Sequence, residues 1–168
     1  MNLGRAQLQA IIDALTVILP ARSPADAELS RFFREHGQIG QHDRALVADT
    51  VYAALRRRRL LEHVTPNATP REIALAALVK LQGVGISQIE AALNPEEKAW
   101  LAQLKALDLE SLPYEIRADL PDWVLERLRG RMGEDEVLEL ARGLQRPAPL
   151  DLRVNSMKAP NGASMRNQ

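Results

Sequence analysis

No cysteine occurs anywhere in the 168 residues. That absence excludes disulfide staples, thiolate zinc sites, iron–sulfur clusters and any cysteine nucleophile. Long hydrophobic runs are missing too. The longest uncharged apolar stretch near the start, residues 14–21, falls far short of the roughly 20 residues that span a bilayer. A single Arg precedes the first apolar residues and Asp13 interrupts them, so no secretory signal is legible and the expected compartment is the cytoplasm. Aromatic residues are few, two each of Trp, Tyr and Phe, which leaves little material for stacking nucleic-acid bases. Neither sign of charge prevails, with 22 basic against 22 acidic side chains.

What is present is a composition of 46% hydrophobic and 26% charged residues, the balance of a folded chain and not of a disordered one. Of the basic residues 18 are Arg and only 4 are Lys. Residues 1–65 carry 9 basic and 7 acidic groups, residues 66–126 carry 5 and 10, and residues 127–168 carry 8 and 5. An acidic middle between mildly basic ends excludes a basic footprint over the whole protein but permits a local one.

Apolar spacing is helical nearly throughout. Leu8, Ile11, Ile12, Leu15, Ile18 and Leu19 recur at that period and Pro20 stops the helix. Ser23-Pro24 reads as a cap and first turn for a second helix carrying Leu29, Phe32 and Phe33 and ending near Gly37. A third follows Gly40 and reaches Leu60 and Leu61. Thr69-Pro70-Arg71-Glu72 and Asn94-Pro95-Glu96-Glu97 are two instances of one device, a capping box with Pro in the first turn. Further helices are expected at Ile86–Leu93, after Pro121-Asp122-Trp123, and over Glu134–Leu144. Leu150–Asn155 alternates and is the one credible strand. The expected fold class is all-α.

Two segments resemble one family. Asp43-Arg44, then Val51-Tyr52, Leu55-Arg56, Arg58 and Leu61, are similar to a segment of NusB-like domains. Pro121 and Trp123, then Pro149, Leu152-Arg153-Val154-Asn155 and Lys158, resemble the segment that introduces the methyltransferase half of the RsmB (Sun, Fmu) ribosomal RNA cytosine-5 methyltransferases. The resemblance implies a NusB-like, RNA-contacting helical bundle over residues 1–108 and linker helices over residues 109–146. Residues 147–168 would be the extended, largely disordered start of a missing methyltransferase subdomain. It also implies rRNA as partner and, in the full-length family, S-adenosylmethionine as cofactor, with none expected in this chain. Methylating carbon 5 of cytosine requires a thiolate to add first at carbon 6. A chain without cysteine is therefore expected to be catalytically inert alone. Gly83-Val84-Gly85 matches no glycine-rich cofactor turn, and His36, His42 and His63 have no metal-binding spacing.

The candidate RNA contacts are Arg5, Arg44, Arg56, Arg57 and Arg59, because forked guanidinium groups suit phosphate. On one continuous helix Arg56–Arg59 would sweep most of the circumference. Arg58, beside the core stripe, is then expected to pair with an internal carboxylate, Asp43 or Asp49, or with a carbonyl, leaving the other three freer. Asp43 is expected to favour the helix start. Trp100, Trp123, Tyr52, Phe32 and Phe33 are expected in the core. Arg127 and Arg131 are expected to share a solvated helix face. An RNA-binding accessory domain is the leading expectation, and a NusB-like protein-interaction module is the alternative.

Overall fold

The computed structural model describes residues 3–146. The expected strand Leu150–Asn155, with Arg153, and the expected 147–168 remnant lie outside the described residues. Among the described residues the chain is all helical, with no strand. No described helix is long and apolar enough to cross a membrane.

The helices are α1 (Arg5–Ile18), α2 (Ala25–Glu35), α3 (Gln41–Arg56), α4 (Arg58–Val64), α5 (Pro70–Ala76), α6 (Ile86–Ile89), α7 (Pro95–Ala106), α8 (Tyr114–Ala118), α9 (Asp122–Leu128) and α10 (Glu134–Gln145). At the centre lie α5 and the turn that continues it, where every residue from Ile73 to Val79 is buried. A helix apolar on all sides needs neighbours on all sides, and α5 meets α1, α3, α4 and α7. α1 contributes Leu8, Ile11, Leu15 and Ile18 from one stripe, and α3 contributes Val47, Val51 and Ala54. A second, smaller cluster joins Ala118, Leu125, Val137, Leu138 and Ala141 of α8, α9 and α10.

Both capping boxes form as the sequence predicts. Thr69 Oγ1 accepts from Glu72 N at 3.2 Å, and Glu72 Oε2 accepts from Thr69 N at 3.0 Å. Asn94 Oδ1 accepts from Glu97 N at 2.7 Å, and Glu97 Oε2 accepts from Asn94 N at 3.0 Å. The two boxes are also coupled. Arg71, in the first turn of α5, donates to Glu97 at 2.5 and 2.9 Å and to the Ala92 carbonyl at 2.7 Å. That bonding holds the Glu97 carboxyl below its ordinary value. α5 runs on into a π turn, Ala77–Leu81, and Lys80 from this turn donates to the Lys105 and Leu107 carbonyls at the end of α7. A cation there meets carbonyls that the helix leaves unpaired.

Several local expectations are corrected. Ser23 does not cap α2; Pro24 occupies the cap position and no side chain bonds there. Asp43 does stand in the first turn of α3, as expected, and also accepts from Gln7 Nε2 at 2.7 Å, which ties α3 to α1. The third helix ends at Arg56, and Leu60 and Leu61 belong to α4. Trp123 is 62% exposed, while Trp100 packs against the main core. α9 ends at Leu128, so Arg131 lies beyond it and shares no helix face with Arg127. Arg127 instead covers the Trp123 ring at 5.7 Å.

Candidate nucleic-acid interface

The four consecutive arginines straddle a break in the helix. Arg57 adopts φ −121°, ψ 32°, which ends α3 and begins α4. The first N–H groups of α4 need acceptors that an Arg at the cap position cannot supply. They come from Asp119, 60 residues away from Arg59 in sequence. Its Oδ1 accepts from Arg59 N at 3.0 Å and its Oδ2 from Leu60 N at 3.4 Å. Oδ2 also accepts from Arg57 Nε at 3.0 Å. The Asp119 side chain is 3% exposed. Burial pushes its carboxyl above the ordinary value, against the opposing pull of Arg57 and the two backbone donors.

The break sends the four guanidinium groups in different directions. Arg57 also donates to Gln145 Oε1 at the end of α10. Gln145 Nε2 in turn donates to the Ala118 carbonyl at 3.1 Å. Arg59 donates to the Leu120 carbonyl at 2.8 Å and to Asp122 at 2.7 Å. Arg58 reaches neither Asp43 nor Asp49. It pairs with Glu62 on its own helix at 2.7 Å and caps the end of α1 through the Leu19 carbonyl at 2.9 Å. Arg57 and Arg59, expected to be freer, are thus the two that hold α8 to α10 against the main bundle. Arg56 has no hydrogen bond or ion pair among the described residues.

The remaining candidates are dispersed. Arg44 donates to the Ile39 carbonyl at 2.8 Å and the Phe33 carbonyl at 3.3 Å, and covers the Phe33 ring at 5.5 Å. It closes the turn between α2 and α3. Arg5 is exposed and uses Nε on the Ala91 carbonyl at 2.7 Å. Arg44 and Arg56 stand twelve residues apart on α3, about 18 Å by the helical rise. Arg5 lies at the Arg44 end, because Gln7 and Asp43 bring the starts of α1 and α3 together. The five arginines therefore do not form one surface.

Arg56 sits in a groove of about 510 Å³ between α3, the end of the π turn and the end of α10. Sequence reasoning singled out Arg56 but missed Asp119, whose part depends on a contact across 60 residues that no local pattern signals. No group of three or more His, Asp or Glu among the described residues is placed to hold a metal ion.

No protein-family model matches the chain, and no solved structure matches it. Among curated proteins it is similar to the ribosomal RNA small subunit methyltransferase B of Thermus thermophilus, with 35% identity over 128 residues. The match covers 66% of this chain and 31% of the Thermus protein, so the chain spans about a third of the length of that relative. That similarity agrees with the family resemblance read from the sequence.

Proposed function

We propose that this chain is an RNA-binding accessory region of a ribosomal RNA cytosine-5 methyltransferase, holding rRNA by its backbone near a catalytic domain. The similarity to a ribosomal RNA methyltransferase is the observation that carries this reading. Residues 1–108 form the RNA-contacting domain and residues 109–146 the linker in this proposal. The chain alone performs no methyl transfer, for want of the thiolate that the chemistry requires. Nor do the described residues fit an S-adenosylmethionine cradle. Gly83-Val84-Gly85 joins a π turn to the four-residue α6, with no strand feeding it. In this reading the cofactor belongs to the full-length family.

Affinity then comes from phosphate contacts and falls with salt. Binding of this chain to a 16S rRNA fragment across a salt series tests it. Three to five contacts give a log–log slope of roughly −2 to −4 on single-stranded RNA. Arg5→Ala with Arg56→Ala flattens the slope by about 1.4 with the fold intact. No binding at low salt overturns the reading.

One observation favours the alternative, a protein-interaction module. Trp123, Leu140 and Leu144 of α9 and α10 are large and exposed, at 62%, 41% and 62%. Salt-insensitive capture of a protein partner that Leu144→Glu abolishes, with no RNA bound, supports that module instead.

A further inference from the structure

α3 carries two stripes at the i, i+3, i+4, i+7 spacing. Val47, Thr50, Val51 and Ala54 face the core and are buried. Asp49, Tyr52, Ala53 and Arg56 form the second stripe, and it lines the groove. The facing wall is Leu81 and Gln82, where the π turn ends. A π turn adds a residue and rotates the following residues by about 100° around the helix axis. Gln82 N closes it on the Ala77 carbonyl at 3.0 Å, and Thr50 Oγ1 lies 3.1 Å from Gln82 Oε1. Thr50 of the core stripe thus stands against the far wall of the groove.

The chemistry of the second stripe is specific. Arg57 also borders the groove, but its charge is met by Asp119. The Arg56 guanidinium, the Tyr52 ring and hydroxyl and the Asp49 carboxylate have no hydrogen bond or ion pair among the described residues. The cation and the anion stand seven residues apart, about 10.5 Å along α3, with the aromatic ring between them. Opposed charges at that separation do not suit a simple anion, which Asp49 would repel. They suit a ligand with an anionic end, a flat middle and a hydrogen-bond donor at the far end. The groove volume falls within the range of small-ligand sites.

We infer that this groove holds one unpaired RNA nucleotide, with its phosphate on Arg56, its base against Tyr52 and its base edge toward Asp49. The inference rests on the RNA-binding reading and deepens it. A base inside a duplex is stacked and cannot enter, so single-stranded RNA is the substrate class. A carboxylate accepts from the N4 amino group of cytosine, whereas uracil places a carbonyl oxygen at the same point. The site therefore discriminates between two pyrimidines of equal size and similar stacking.

The test is fluorescence anisotropy of labelled oligo-C and oligo-U with the whole chain, alongside the 16S rRNA fragment at low salt. The wild-type chain prefers oligo-C by about fivefold or more. Asp49→Asn, on an exposed position, brings the two within twofold. Ala53→Trp, which fills the groove floor, weakens both oligomers. Equal affinity for the two oligomers, or a preference that survives Asp49→Asn, overturns the groove assignment. If the rRNA fragment still binds with a salt-dependent slope, the accessory reading stands without the groove. If neither oligomers nor rRNA bind, both fail.

Discussion

Arg57 and Asp119 meet across 62 residues, and their contact is where the main helical bundle and the α8 to α10 cluster are joined. Asp119 is the residue after α8, in the left-handed region at φ 52°, and its carboxylate serves as the missing N-cap of α4. One residue therefore ends α8 by its backbone, and by its carboxylate caps α4 and neutralises Arg57. The second cluster has five buried apolar residues, few for an independent core. Its position depends on the polar contacts of Arg57, Arg59, Asp119 and Gln145 as well as on packing.

Removing that carboxylate strands a partly buried guanidinium and two backbone donors. Asp119→Ala is expected to cost about 3 kcal/mol in denaturant unfolding. Asp119→Gly loses the same acceptor but adopts positive φ without strain, and recovers about 1 kcal/mol relative to the alanine variant. If the two variants unfold alike, backbone strain at residue 119 plays no part. If neither is destabilised, the cap is dispensable.

The helices are largely legible in the sequence because their signals are local. The Thr69 and Asn94 capping boxes form bond for bond, and the α1 stripe is buried as its spacing predicts. The Arg56–Arg59 run resists a sequence reading because its meaning is not local. On one unbroken helix, four arginines radiate. In the structure a break at Arg57 intervenes, and its cap comes from Asp119, 60 residues beyond Arg59. Trp123 departs from expectation for a local reason. It stands two residues before Leu125, about 200° around the helix, so the face that buries Leu125 leaves the indole to Arg127. The candidate site is legible in residue type at Arg56, and illegible in arrangement.

The coupled capping boxes make stability depend on pH. The Glu97 carboxyl is held low by its bonds from Arg71 and from Asn94 N. A carboxyl whose folded value lies below its unfolded value binds its proton less readily in the folded chain. Its contribution is present above the unfolded value and is lost as pH falls through the folded one. Unfolding free energy measured from pH 7 down to pH 3 should therefore fall. Glu97→Gln should flatten that fall and cost about 1 to 2 kcal/mol at pH 7, by loss of a charge-assisted pair. An unchanged acid slope in the variant would show that Glu97 is not its source.

The two tryptophans should behave differently. Trp100 packs against the main core and donates from Nε1 toward the Val64 carbonyl at 3.4 Å. Trp123 is exposed beneath Arg127. In single-Trp variants the Trp123 emission should be red-shifted and readily quenched by acrylamide, and that of Trp100 should be protected. Trp123→Ala should cost less than about 1 kcal/mol, within the range of an exposed cation–π pair. Trp100→Ala should cost about 3 kcal/mol. Equal quenching of both would place Trp123 under cover that α8 to α10 do not supply.

Neighbouring arginines should separate stability from binding. Arg56 ends α3 in an open groove with no partner among the described residues, whereas Arg57 is bound to Asp119 and Gln145. Arg56→Ala should leave the unfolding midpoint within the small range of surface changes, about 0.5 kcal/mol, and should reduce the salt slope of RNA binding by about 0.7. Arg57→Ala should do the reverse. It leaves Asp119 buried without its cation, lowers stability by about 3 kcal/mol, and alters RNA binding only as far as the second cluster shifts. Measuring both quantities on both variants distinguishes a phosphate contact from a structural clasp at adjacent positions. If Arg57→Ala takes away the larger part of the salt slope while the chain remains as stable as wild type, the roles assigned to these two residues are reversed.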